Sequence, residues 1–352
     1  MQKYLFLHIG MPKCASTTIQ ANLEENAPAL SERGYFYGKL PGDETVGQGN
    51  GTILNYFAES RKYAQFNAAV EYFLTPESHV ILSGESLVAL ARSADVLEMI
   101  SKKAHSKGFL LKVLCVLKRQ DLWIESDFKQ HVKGKTAWTA PIEKLVERRA
   151  EKRTLDYDFL LGNWTRAVPE ENIRVRPVPA NGENIDVVAE IADWLSVERS
   201  LFQGETGSRN VSPATALVEP ARQLKKFWIS AGDDVTTAAE KVAAFLEFGR
   251  TLDLPKRQYI LSHAARREIL DRYQAANSKV EKRFNGGRSL FDDVIEAEDH
   301  DATSLSEEAA QILIEYFVRK GEGEALGPAG PAREARTLMS STRQRVKTLF
   351  GG

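Results

Sequence analysis

The chain has 352 residues, 43% hydrophobic and 27% charged, the make-up of a globular protein able to bury a sizeable core. Its formal net charge of −1 excludes a whole-molecule attraction to nucleic acid or acidic membranes, so any anion site must be built locally. Two cysteines, Cys14 and Cys115, exclude a disulfide framework and suit a reducing compartment.

The start, "MQKYLFLHIG", lacks the apolar length of a signal peptide. No segment approaches the ~18 uninterrupted apolar residues of a membrane span. A cytoplasmic protein without a transmembrane segment or nucleic-acid partner is expected.

In chain order, "KYLFLHIG" is a short apolar run closed by glycine and predicts a buried strand. From Ser16 the period changes. Ile19 and Leu23 recur four apart, with Gln20, Asn22, Glu24 and Glu25 facing elsewhere, which predicts an amphipathic helix that Ser16 or Thr17 could cap. Residues 39–52 are rich in turn formers and predict a long surface loop. "HVILSG" (His79 to Gly84) predicts a second buried strand. "FLLKVLCVLKRQ" (Phe109 to Gln120), the longest apolar run, predicts a central strand with Cys115 as a small core residue.

The following "DLWIESDFKQHVK" has helical spacing, and "ENIRVRPV" (Glu171 to Val178) is a fourth strand candidate before the amphipathic "IDVVAEIADWL". Strands separated by helices imply a parallel sheet with helical crossovers. Residues 211–320 read as almost wholly helical, and the chain has no internal repeat. From Gly321, "GEGEALGPAGPA" cannot bury apolar surface and the remainder is basic. Residues 321–352 are expected to be a flexible basic tail that admits weak membrane-surface contact.

The break after the first strand, "LHIGMPKCASTTIQ" (Leu7 to Gln20), carries Lys13 followed by Ser16, Thr17 and Thr18. A strand feeding a helix through a tight loop presents backbone N–H groups and the positive end of the helix dipole, which together suit an anion. An ordinary cap needs only one of those hydroxyls. The nucleotide triphosphatase pattern GxxxxGK[ST] fails on spacing, because Lys13 stands three residues before Ser16 and no glycine sits where required.

The stretch "KCAST" instead resembles the 5′-phosphosulfate loop of sulfotransferases that use 3′-phosphoadenosine-5′-phosphosulfate (PAPS), roughly Lys-x-Gly-Thr-Thr after a strand. Ala15 takes the place of the glycine and Ser16 that of the first threonine. The family's 3′-phosphate site is an arginine at the end of a later strand and a serine eight residues on. In "LKRQDLWIES", Lys118 stands eight residues before Ser126, with Arg119 beside it. Lysine there gives a point charge rather than a fork, and Arg119 supplies the fork if the strand ends one residue later. "YDFLLGNWTRAVPEENIRVRPV", "NVSPATALV" and "DRYQAANSKVEKRF" resemble further segments of bacterial members, so the likeness spans about Lys3 to Asp293.

The resemblance implies an α/β, P-loop-containing fold, a doubly wound, mainly parallel sheet flanked by helices, with a helical C-terminal part, in one domain over residues 1–320. It implies an enzyme that moves a sulfuryl group in line from PAPS, its co-substrate, to a hydroxyl of a carbohydrate or glycoconjugate, with no metal required. No His/Cys/Asp/Glu cluster has ligand spacing. Charge spreads over equatorial and leaving oxygens in such a transfer. Lys13 suits the leaving phosphate, the N–H groups of Ala15, Ser16 and Thr17 suit its other oxygens, and Ser16, Thr17 and Thr18 add hydroxyl donors.

Three residues compete as the base. Glu85, in "ILSGES", follows the second strand at the edge where such sheets bind ligands, although it could instead cap the next helix. His131, in "FKQHVKGK", is an imidazole of near-neutral pKa. His8 lies within the first strand, where a core role is commoner. Lys129, Lys133 and Lys135 are either a solvated helix face or a rim for an anionic glycan acceptor. Arg288, in "NGGRS", is a further basic residue in a glycine turn. A small-molecule kinase and a nucleotide-binding module without catalysis are the other readings, the latter kept open by Ala15 and Lys118.

Overall fold

The computed structural model describes residues 2–43, 49–179, 185–202, 213–250, 252, 259–292, 294–295, 310, 312–314 and 316–317. The predicted tail, residues 321–352, and residues 44–48 of the predicted loop lie outside them. The elements run β1 (Lys3–His8), α1 (Ser16–Glu25), α2 (Ala27–Glu32), β2 (Tyr35–Phe36), α3 (Thr52–Glu59), α4 (Tyr63–Phe73), β3 (His79–Ser83), α5 (Ala94–Ser106) and β4 (Phe109–Leu117). They continue with α6 (Gln120–Lys133), α7 (Ile142–Glu151), α8 (Tyr157–Trp164), β5 (Ile173–Pro177), α9 (Val187–Leu195), α10 (Val218–Ser230), α11 (Val235–Gly249) and α12 (His263–Phe284).

The chain folds as an α/β protein with five strands in the order β2-β3-β1-β4-β5, every neighbouring pair parallel. Leu7 pairs with Leu82 on one side and Val113 on the other, and Cys115 pairs with Val175. A strand covered on both faces must be apolar throughout. Leu5, Phe6, Leu7, Val80, Ile81, Val113, Leu114 and Cys115 are all buried, each large one contributing roughly 1.5–3 kcal/mol. The longest apolar run forms interior strand β4, but the middle place belongs to β1. β2 has two residues, too few to show any period.

The chain divides into two compact units: Met1–Trp123, Arg148–Val211 and Glu268–Val294; and Ile124–Glu147, Ser212–Arg267 and Ile295–Gly352. The first holds the sheet. At its heart Asn50, 0% exposed, accepts from the Ser83 N–H at 2.8 Å and donates to the carbonyls of Ile81 at 2.8 Å and Gly38 at 3.0 Å. One carboxamide thereby ties the segment before α3 to the end of β3. His8, also fully buried, places Nδ1 2.8 Å from Ser83 Oγ, and burial lowers its pKa to about 3. The imidazole is therefore a neutral core group at physiological pH.

The second unit is helical. Asp234 caps α11 by accepting from the N–H groups of Thr236 and Thr237 at 2.8 and 3.0 Å. Lys225 on α10 is buried and donates to the carbonyls of His131 and Gly134, both at 2.7 Å. These bonds satisfy the C-terminal end of α6, and burial draws the ammonium down to about 8. Glu125 accepts from the N–H groups of Ile260 and Leu261 at 2.8 and 2.9 Å, and burial raises its carboxyl to about 7 against those bonds. No described helix is long and apolar enough to cross a membrane.

Asn50→Ala leaves buried backbone groups without their partner, at roughly 1–3 kcal/mol each. A clear fall in the urea midpoint at unchanged m-value is expected. His8 supplies a pH test. Because its folded pKa of about 3 lies below its unfolded value of 6.5, the His8 contribution to stability is level above pH 6.5 and declines as the pH falls toward 3. This residue adds a slope of up to about 1.4 kcal/mol per pH unit. Urea melts from pH 7 to 4 should show the stability of wild type falling relative to that of His8→Asn as the pH is lowered.

Candidate functional site

β1 ends at His8, but its backbone keeps pairing beyond the strand. Ile9 N–H donates to Leu114 O at 3.0 Å, Met11 N–H to Val116 O at 2.8 Å, and Val116 N–H to Gly10 O at 2.7 Å. Gly10 has φ 107°, and a Cβ there would lie 2.2 Å from the Glu85 carbonyl oxygen. Only glycine permits this approach of the loop after β1 to the turn after β3. Val88 N–H closes the contact onto Ile9 O at 2.8 Å.

The loop then passes through two left-handed residues that are not glycine, Lys13 (φ 64°) and Ala15 (φ 61°). Each costs an L-residue about 1–2 kcal/mol, so other contacts must hold the loop. The Trp123 indole donates Nε1–H to Pro12 O at 2.7 Å, and Cys14 is buried at 0% exposure. Burial pushes the Cys14 thiol up to about 12, with the Lys118 ammonium opposing and the Glu85 carboxylate adding. The thiol stays protonated, and both charges act on it from close by.

The expected cap of α1 needs correction. Its N-cap is Ala15, which has no side-chain hydrogen bond to offer. Ser16 Oγ instead donates to Glu85 Oε2 at 2.7 Å. The first bond of the helical ladder is Ile19 N–H to Ala15 O at 3.0 Å, so the N–H groups of Ser16, Thr17 and Thr18 precede it. They carry the positive end of the helix dipole. Ser16 is buried, Thr18 half-buried and Thr17 exposed. Glu85 does not cap the 3₁₀ helix that follows (Leu87–Arg92), where Ser86 holds the N-cap position.

β4 ends at Leu117, so Lys118 is the first residue past the strand. Tyr157 Oη–H donates to its carbonyl at 2.6 Å. Arg119 serves a different purpose from the one its sequence position suggests. It is 2% exposed, with Nε and Nη2 on the Asp121 carboxylate at 2.8 and 3.0 Å. Its Nη1 bonds Asp292 Oδ1 at 2.8 Å and the carbonyls of Asp292 and Val294 at 3.1 and 2.8 Å. This fork ties the segment after α12 to the end of β4.

The chain leaves β1 toward β2 and β3 on one side, while β4 and β5 lie on the other. The reversal falls between β1 and β4, at their carboxyl ends, where open parallel sheets bind ligands. Lys13, Ala15, Ser16 and Lys118 flank that point, and Glu85 joins them through Ser16. Ser126 and His131 belong to the second unit. His131 has Nδ1 3.3 Å from Thr136 Oγ1 and Nε2 3.7 Å from Asp127 Oδ1, with its ring against Trp138. Lys129 donates to Thr215 Oγ1 at 3.0 Å, Lys133 is half-buried, and Lys135 is exposed. Arg288 lies exposed in its turn, Nε 3.4 Å from Asn285 O. Among the described residues no group of His, Cys, Asp or Glu could hold a metal ion.

Sequence reasoning missed Trp123, Tyr157 and Asn50, whose polar tips reach partners far away in sequence. For Trp123 and Tyr157 the available signal was an aromatic side chain with a donor, which names no acceptor, and Asn50 lay in a run of turn formers that gave none.

No protein-family model matches the chain, and no solved structure matches it. An uncharacterized protein of Archaeoglobus fulgidus is 43% identical over 97 residues, 28% of this chain and 24% of that protein. The match thus spans about a quarter of that relative's length.

Two substitutions in the loop should have opposite effects. Gly10→Ala meets both the positive φ and the Glu85 carbonyl, and backbone strain alone costs about 1–3 kcal/mol. Ala15→Gly relieves a left-handed alanine and should leave the melting temperature level or raise it. Thermal melts of the two variants check the loop geometry.

Proposed function

We propose that this chain is a sulfotransferase that moves a sulfuryl group from PAPS to a hydroxyl of a carbohydrate or glycoconjugate. The observation that carries the reading is the position of the two phosphate-type elements. The Lys13–Thr18 loop and Lys118 come from adjacent parallel strands, on either side of the point where the strand order reverses. The left-handed turn at Ala15 supports a phosphate-loop role, because alanine there adopts the conformation for which the family uses glycine.

PAPS would supply the activated sulfuryl group. The N–H groups of Ser16, Thr17 and Thr18, with the dipole of α1, bind the 5′-phosphosulfate oxygens, and Lys13 adds full charge beside them. Glu85, within hydrogen-bond reach of Ser16, takes the proton of the acceptor hydroxyl as that oxygen bonds to sulfur. Lys13 meets the charge gained by the phosphate oxygen as its bond to sulfur breaks. Lys118 is the basic residue assigned to the 3′-phosphate, since the Arg119 fork clamps Asp121 and Asp292. The roles of Ser126 as its partner, and of His131 as rival base, rest on the sequence pattern alone.

Calorimetry with 3′-phosphoadenosine-5′-phosphate against ATP tests the donor. Clear preference for the first is expected, and preference for ATP would overturn the reading in favour of a kinase. Turnover of labelled PAPS against a panel of hydroxyl acceptors separates an enzyme from a binding module. Glu85→Gln should lower that turnover by about 10²–10⁴ with nucleotide affinity preserved. Lys118→Ala should shrink discrimination between 3′-phosphorylated and unphosphorylated adenosine nucleotides by roughly 1.5–3 kcal/mol.

A further inference from the structure

Ser16 stands where two demands meet. It is the first residue of α1, so its N–H belongs to the positive end of that helix. Its hydroxyl serves a different element, the turn after β3, where Oγ–H donates to Glu85 Oε2 at 2.7 Å. The serine is 3% exposed and Glu85 is half-buried. A bond of this length lies in the range of charge-assisted hydrogen bonds, which are the strong ones.

Backbone contacts hold both ends of this bond. The close approach of Gly10 to the Glu85 carbonyl and the Val88 N–H on Ile9 O at 2.8 Å fix the turn that carries the carboxylate. The Ile19 N–H on Ala15 O at 3.0 Å fixes the first turn of α1. A serine hydroxyl has one proton to donate. While that proton is on Glu85, it is not on a phosphate oxygen. The sequence counts Ser16, Thr17 and Thr18 together as donors to one anion, but folding separates them. Thr17 is exposed and Thr18 half-buried, whereas Ser16 is buried against the carboxylate.

A carboxylate offers about four lone-pair sites, so one hydroxyl fixes the group and leaves room for an incoming proton. A hydrogen bond to the charged form also favours that form, the one a proton acceptor needs. The other titratable groups around the bond come from the loop after β1 and the end of β4. Cys14, kept protonated by burial, feels both the Glu85 carboxylate and the Lys118 ammonium, and Lys13 precedes it in the chain.

We infer that Ser16 is a positioning residue for Glu85, its hydroxyl committed to the carboxylate instead of to the donor's phosphosulfate. The inference rests on the sulfotransferase reading and adds a part to it. Ser16 then links the donor loop to the base. Its N–H lies among those assigned to the donor, and its Oγ–H aims the group that takes the acceptor's proton.

The test follows the Glu85 carboxyl in the full chain by NMR of isotope-labelled glutamate, its signal assigned by its absence in Glu85→Gln. Ser16→Ala should raise the midpoint of that titration by about 1 pH unit. Ser16→Cys, close to serine in volume but a far weaker donor, should raise it too, and Ser16→Thr should restore most of the wild-type value. Calorimetry with 3′-phosphoadenosine-5′-phosphate should find Ser16→Ala within about 3-fold of wild type, because the backbone N–H groups remain. Turnover of labelled PAPS with an acceptor from the panel should fall about 10-fold in Ser16→Ala, but no further when the change is added to Glu85→Gln.

A midpoint that stays put in both the alanine and cysteine variants overturns the inference. So does a loss of nucleotide affinity of about 10-fold or more in Ser16→Ala, which assigns the hydroxyl to the donor. A turnover loss that adds in full to that of Glu85→Gln overturns it as well. Wild type that binds no nucleotide sinks the sulfotransferase reading, whereas nucleotide binding with an unmoved midpoint sinks the role of Ser16 alone.

Discussion

The site depends on one close backbone approach. Gly10 lies so near the Glu85 carbonyl that a β-carbon would sit 2.2 Å from it. This contact brings the loop after β1 and the turn after β3 into one layer over the sheet edge. It sets the path on which Lys13 and Ala15 must adopt left-handed backbone. It also brings the Glu85 carboxylate to Ser16. A strained loop persists only when its surroundings over-determine it. Here the surroundings are the continued pairing with β4, the Trp123 indole on Pro12 and the buried Cys14.

Beneath that layer, buried polar groups hold the strand ends together. Asn50 satisfies three backbone groups around the end of β3, and Ser83 links that point to His8 in β1. Tyr157 holds the carbonyl of Lys118, and Arg119 ties the segment after α12 to the end of β4. Each of these groups would cost stability if left unmatched in a low-dielectric interior. Matched, they fix the ends of β1, β3 and β4 relative to one another.

Charge is distributed in keeping with this division of labour. A net charge of −1 provides no global attraction, so attraction for an anion has to come from groups assembled by folding. Lys13 and Lys118 are far apart in sequence, yet both belong to the unit that contains the sheet. Arg119, the most prominent arginine by sequence position, is spent on carboxylate and carbonyl partners.

Sequence alone determined the parts of the fold governed by local period. The strands at Lys3–His8, His79–Ser83 and Phe109–Leu117 are mainly apolar runs, Ile173–Pro177 alternates apolar residues with arginines, and the helices at Ser16–Glu25 and Val187–Leu195 carry a 3.6-residue pattern. The strand-to-helix break between His8 and Ser16 was legible too, because the apolar run ends at Gly10 and a helical period begins at Ser16. Tertiary structure decided whatever depends on which distant group arrives opposite. It put β1 rather than β4 in the middle, and it turned Ser16 toward Glu85 instead of its own helix. It also spent the Arg119 fork on Asp121 and Asp292, and seated Arg92 on Thr154. The physical reason is range. Periodicity reports the burial of a residue among its chain neighbours, whereas a hydrogen bond or charge pair joins residues whose proximity exists only after the sheet has formed.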